Sequence, residues 1–279
     1  MEEIRDIPYV QSPHREPLRE FDLYLPSLSG SQHQHVPPLI CFVHGGAWRS
    51  EDKKDHSDLA RKLVSFTNYA VAVPNYRLSQ GPENAIRHPA HAEDILSFLN
   101  FLMTWIGPSS HPPVYDSRSL ILMGHSCSAH MLSSVFLDSS SKFPSLQPTL
   151  TLLRAVKAII MSEGIYDIDL LLSRFPDYRD WFIEGAFGKW DSYATFAAIY
   201  PLRNSDIHWL IIHSKGDTLV DLSQSMAIYN HLRQQYAAKS DTHVSSNTDS
   251  LEEDHNDILN GDEFVKIVGD FVLHLDVET

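Results

Sequence analysis

The chain has 279 residues, with 36 acidic and 22 basic side chains and a formal net charge of −14. That balance leaves no broad cationic face, which nucleic acids and anionic membranes both require of a partner. No run approaches the roughly 18 apolar residues of a membrane span, the opening Met1-Glu2-Glu3-Ile4-Arg5-Asp6 carries no apolar leader, and Cys41 and Cys127 are too few for a disulfide framework. A single α/β domain over residues 1–279 in a cytoplasmic setting is expected.

Residues 20–25, EFDLYL, alternate like an antiparallel strand. Residues 26–38 read as a polar loop. The apolar run 39–43 predicts a buried strand, and it ends in His44-Gly45-Gly46-Ala47-Trp48. Glycine has no Cβ, so a backbone built this way can approach a ligand closely. N–H groups fanned out at such a loop form an oxyanion hole, which stabilises negative charge on a carbonyl oxygen during acyl transfer. A helix is predicted over 53–66, a strand over 69–73 stopped by Pro74, and a helix over 93–105 with Ile95, Leu96, Phe98, Leu99 and Leu102 at helical spacing.

A second apolar run, 119–123, leads into Gly124-His125-Ser126-Cys127-Ser128 and a helical stretch over 129–137. Strand, sharp turn and helix are the context of a nucleophile elbow, with Ser126 at its centre and Ser128 replacing the usual second glycine. A strand follows over 155–161. Residues 164–202 break the alternation and are rich in aromatics, which predicts a lid over the site. A strand over 207–213 enters a loop carrying Asp217, and His255 precedes the last helix. Helices are predicted over 223–236 and 263–275. Between them, 238–254 is polar where this architecture wants its last strand, with at best a stub at 242–244.

Strands alternating with helices predict a mainly parallel sheet covered on both faces. The order Ser126, Asp217, His255 is the serine–acid–histidine order of α/β-hydrolases and differs from the chymotrypsin and subtilisin orders. Asp221 is the competing acid, with helix N-capping as its other reading. His243 is the competing base, and Cys127 the competing nucleophile. The histidines, 16 in all, show no metal-ligand spacing, so neither a metal nor a cofactor is expected.

Several segments together carry a resemblance: HGGAW at 44–48, PNYRLS at 74–79, HPAHAED at 88–94, GHS at 124–126, EGIYD at 163–167 and HND at 255–257. From about residue 20 onward the chain resembles the hormone-sensitive-lipase-like esterase/lipase branch of α/β-hydrolases. Within that branch it is similar to the fungal kynurenine formamidase family. The resemblance implies an α/β-hydrolase fold and hydrolysis of N-formyl-L-kynurenine, a small-molecule substrate, to L-kynurenine and formate. It puts the triad on Ser126, Asp217 and His255, and the oxyanion hole on Gly45, Gly46 or Ala47 together with Cys127. An arylamine leaving group needs a flat apolar slot, for which Trp48, Tyr166, Trp181 and Phe182 are the candidates. A homodimer is compatible with the sequence. A small-acyl carboxylesterase of the same branch is the alternative, and a non-catalytic binding protein on this scaffold a more distant one.

Overall fold

The computed structural model describes residues 1–27, 36–80, 86–109 and 111–275. Much of the expected loop at 26–38 lies outside the described residues. The strands are β1 (Glu2–Pro8), β2 (Glu20–Leu25), β3 (Leu39–Val43), β4 (Ala70–Pro74), β5 (Leu120–His125), β6 (Val156–Ser162), β7 (His208–Ile212) and β8 (Val244–Asn247). They form one sheet in the order β1-β2-β4-β3-β5-β6-β7-β8. β2 pairs antiparallel with β1 and β4, and every pairing from β4 to β8 is parallel. This is the α/β-hydrolase architecture.

The central strands are apolar at nearly every position because both faces are covered. Leu39, Cys41 and Val43 face one core, with Leu120, Leu122, Ile159, Met161, Trp209 and Ile211. Ile40 and Phe42 face the other, with Ile121, Met123, Ala158, Ile160, Leu210 and Ile212. Each such large side chain, fully buried, contributes about 1.5–3 kcal/mol. The helices are α1 (Ser57–Thr67), α2 (Ala90–Leu102), α3 (Cys127–Phe136), α4 (Leu150–Ala155), α5 (Ile168–Arg174), α6 (Glu184–Phe187), α7 (Leu222–Tyr236), α8 (Ser240–His243) and α9 (Asp262–Leu275). Leu63 of α1 and Phe264 of α9 cover the second core. Phe98 of α2, Leu132 of α3 and Ile228 of α7 cover the first.

Several elements differ from the sequence reading, among them α4 and α8, which it lacks. β1 is not foreshadowed there, and its mixed, half-exposed pattern explains why. The helix expected at 53–66 opens as a 3₁₀ turn, Lys53–His56, capped by Asp52, before α1 begins. The last strand is β8, placed beyond most of the 242–244 stub and in parallel register with β7 from Trp209↔Val244 to Ile212↔Asn247. As an edge strand it has one covered side, so its middle residues, Ser245 and Ser246, are exposed and polar. No helix among the described residues is long and apolar enough to cross a membrane.

Candidate active site

One cleft of about 410 Å³ lies where β3, β5 and β7 end. That is within the roughly 300–1,000 Å³ range of small-molecule sites. Gly46, Ala47, Ser126 and His255 line it, opposite Tyr178, Trp181 and Phe182. A larger hollow of about 700 Å³ over the 6–20 segment contains none of these residues.

Ser126 joins β5 to α3 with φ at +56°. A non-glycine residue rarely adopts that conformation, and such strain clusters at functional sites. The surroundings hold it there: Ser126 N–H donates to the Ser162 carbonyl at 2.9 Å, and its own carbonyl accepts from Ile165 N–H at 3.3 Å. Ser126 remains 7% exposed, toward the cleft. Gly124 is required by packing, since a Cβ there would lie 2.9 Å from Leu132 Cδ1 and 3.0 Å from Ala129 N. Ser128 is more than a small substitute for glycine. Its buried Oγ accepts from His125 N–H at 2.7 Å and lies 2.7 Å from the Val43 carbonyl, so it ties the elbow to β3.

The loop after β3 turns tightly. Gly46 has φ at +90°, and a Cβ there would lie 2.2 Å from the Ser50 carbonyl oxygen. The Gly46 carbonyl accepts from Arg49 N–H at 2.9 Å and Ser50 N–H at 3.0 Å. Ala47, Trp48 and Glu51 are all left-handed, at +52°, +59° and +69°. Gly46 and Ala47 face the cleft, whereas Gly45 packs behind Ser126, where a Cβ would lie 3.2 Å from Ser126 Cβ. Burial pushes the His44 imidazole down to about 4, so it is neutral. The Cys127 thiol is fully buried and accepts from Trp48 N–H at 3.3 Å. Burial pushes it up to about 12, which leaves no thiolate to compete with Ser126.

Asp217 lies in the loop between β7 and α7. One oxygen accepts from Leu219 and Val220 N–H at 2.8 and 2.9 Å. The other accepts from His255 Nδ1 at 2.8 Å. His213 Nδ1 is spent on Ser225 Oγ at 2.9 Å, and its Nε2 stays 4.0 Å from Asp217. Asp221 accepts from Ser223 Oγ at the start of α7 and makes no cap with the backbone. His243 stacks on His208 at 4.4 Å at the β8 edge and does not line the cleft.

A group that the sequence reading misses is Glu163, at the end of β6. It is fully buried, with φ at +49°. Its Oε2 lies 3.1 Å from His255 Nδ1 but makes no well-aligned hydrogen bond, while Oε1 accepts from Ser214 N–H at 3.3 Å. Two carboxylates therefore face one imidazole nitrogen. Burial opposes charge on His255, but Asp217 and then Glu163 outweigh it and push the imidazole up to about 9. Burial raises Glu163 to about 7; His255 pulls it down and Asp217 pushes it up. The one signal in the sequence is an acidic residue directly after an apolar strand.

Two expected slot residues do not reach the cleft. Trp48 is fully buried among His130, Phe182 and Phe187. Tyr166 is fully buried too, with its hydroxyl tucked where a Gly164 Cβ would lie, 2.3 Å away. Trp48 packs against rings of the 164–202 segment, and Tyr166 belongs to that segment itself. Trp181, 52% exposed, and Phe182 do line the cleft. His44, Glu51 and His56, and likewise His125, Glu163 and His255, bring donor atoms within 4.8 Å of one another. His56 Nε2 is already 3.0 Å from Glu51, and His255 Nδ1 is held by Asp217.

The BD-FAE family model matches residues 21–232. The chain belongs to the BD-FAE family. This BD-FAE member is 28% identical over 202 residues to the kynurenine formamidase of Meyerozyma guilliermondii, covering 70% of this chain and 71% of that protein. It is 26% identical to a kynurenine formamidase-like hydrolase of Fusarium equiseti, covering 83% and 82% of the two chains. Among solved structures, esterase B of Lactobacillus rhamnosis superposes with a TM-score of 0.75 at 16% identity, over 99% of this chain and 86% of that one. At that identity the likeness speaks for the fold alone.

Proposed function

We propose that this protein is a serine hydrolase that cleaves N-formyl-L-kynurenine to L-kynurenine and formate. The observation that carries the proposal is the contact of His255 Nδ1 with Asp217 in a cleft shared by Ser126 and an aromatic wall. The similarity to proteins named kynurenine formamidase supports the choice of substrate. A small molecule is the partner this reading implies. A cytoplasmic setting and a homodimer belong to the same proposal.

In the proposed mechanism His255 takes the proton from Ser126 Oγ, and the oxygen attacks the formyl carbon. The N–H groups of Gly46, Ala47 and Cys127 stabilise the oxyanion; losing one such donor typically costs about 2.7–4 kcal/mol. His255 gives its proton to the aryl nitrogen as the C–N bond breaks. Water, activated by the same imidazole, releases formate from the formyl-serine. Asp217 orients the ring and stabilises its cation. Trp181 and Phe182 take the aryl group.

The test is kcat/KM for N-formyl-L-kynurenine beside p-nitrophenyl acetate, for the wild-type protein and Ser126→Ala. The expected result is a clear preference for the formamide and a loss of roughly 10⁴- to 10⁶-fold in kcat for the variant, the scale seen when a triad serine is removed. Ester turnover without formamide turnover would move the protein to the general carboxylesterases. Retained turnover in Ser126→Ala would remove the serine mechanism.

A further inference from the structure

Two side chains of opposite charge sit on the cleft wall with no assigned role. Arg49 and Glu51 both line the cleft. They belong to the strained turn after β3, where the Gly46 carbonyl holds Arg49 N–H and Ser50 N–H, and where Glu51 is left-handed. A costly backbone conformation fixed by hydrogen bonds is what a positioned site requires. Arg49 Nη1 donates to the Trp181 carbonyl at 2.6 Å, so the guanidinium is held against the lid. Among the described residues no carboxylate forms an ion pair with it, in contrast to Arg5, Arg19, Arg61 and Arg77. Glu51 uses Oε2 on His56 at 3.0 Å, and its side chain is 22% exposed on the cleft wall. The two charges do not pair with each other, so a cation and an anion are both available to a ligand.

We propose that Arg49 and Glu51 form the subsite for the zwitterionic end of an α-amino acid substrate, Arg49 holding the α-carboxylate and Glu51 the α-ammonium. This rests on the formamidase reading and deepens it. The substrate of that reading carries an aryl formamide at one end and a free amino acid at the other. The aryl formamide fits the Trp181–Ser126 part of the cleft, and the remaining charged lining matches the remaining charged group. A planar guanidinium with free N–H donors suits a carboxylate. A general carboxylesterase for uncharged acyl esters has no use for this pair.

The test compares three aryl formamides on the intact protein: N-formyl-L-kynurenine, N-formylkynuramine, which lacks the carboxylate, and 2′-formamidoacetophenone, which lacks the whole amino acid. Each is assayed with the wild type, Arg49→Gln and Glu51→Gln. Arg49→Gln is expected to lower kcat/KM for N-formyl-L-kynurenine by roughly 10- to 100-fold, mainly through KM, the scale of one charge-assisted hydrogen bond. The two substrates without a carboxylate then lose far less. Glu51→Gln is expected to penalise both amines and spare 2′-formamidoacetophenone. Equal losses on all three substrates would make Arg49 a lid anchor acting through Trp181 and overturn the subsite. So would undiminished turnover of N-formyl-L-kynurenine in Arg49→Gln, with the formamidase reading left standing. If the wild type cleaves p-nitrophenyl acetate but none of the formamides, the formamidase reading itself fails.

Discussion

On the sheet side of the cleft, Ser126 is 7% exposed and the Asp217 side chain fully buried, and backbone groups on several strands and loops hold both. On the opposite side, Trp181 is 52% exposed and sits in a π-helical turn, Arg179–Ile183, a turn often found at functional sites. The sheet side has little freedom to vary, because moving one carbonyl disturbs several hydrogen bonds. The other side presents rings to whatever enters, and Arg49 reaches it from the turn after β3. Under the proposed function, this contrast puts the reaction on the sheet side and the choice of substrate on the Tyr178–Phe182 wall and the turn after β3.

The sharpest way to break this division is at the acid. In a triad with a single carboxylate, removing its charge costs about 10⁴-fold in kcat. Here Glu163 faces the same His255 nitrogen at 3.1 Å. Asp217→Asn is therefore expected to lose only roughly 10²- to 10³-fold, and the double variant with Glu163→Gln to reach the full loss of about 10⁴. If the single variant already loses about 10⁴, Glu163 does not substitute for Asp217.

The second test sets two tryptophans against each other. Trp48→Ala empties a fully buried site and should cost about 3–5 kcal/mol of stability, read by denaturant unfolding. Trp181→Ala should leave stability nearly unchanged, raise KM for the aryl formamide roughly 10-fold, and spare p-nitrophenyl acetate. A large stability loss for Trp181→Ala would show that the exposed ring is part of the packing after all.

The smallest expected effect concerns pH. In the proposed mechanism His255 must be neutral to accept the Ser126 proton, and its two carboxylates hold it up at about 9. Activity should rise with pH on the acid side of that value. Folding gains from the raised imidazole at pH below 6.5, and that gain is lost as pH climbs through about 9. Glu163→Gln removes one of the charges, so the acid limb of the kcat/KM profile should move to lower pH, by about one unit or less. An unmoved limb would mean that Glu163 is uncharged in the working enzyme.

Much of the sheet side is legible in the sequence because its signals are local. An apolar run ending in His44-Gly45-Gly46, and another ending in Gly124-His125-Ser126, state strand and turn in a few residues. Asp217 and His255 follow from order along the chain. What stays hidden depends on the third dimension. Glu163 lies far from both Asp217 and His255 along the chain, and nothing in its own segment points to them. It meets them because β6 and β7 are neighbours in the sheet, which brings the loops at their ends together. Trp48 and Tyr166 lie within the HGGAW and EGIYD segments, yet both side chains are fully buried. β8 is barely visible because an exposed edge strand has no continuous apolar face to betray it.

That last strand has a consequence for behaviour at high concentration. β8 is four residues long, and Ser245 and Ser246 are exposed. A short polar border gives a second copy's backbone little to zip onto. The sheet therefore ends in a strand that discourages ribbon growth between molecules, and the polarity that makes 244–247 hard to read as a strand also keeps it from recruiting another.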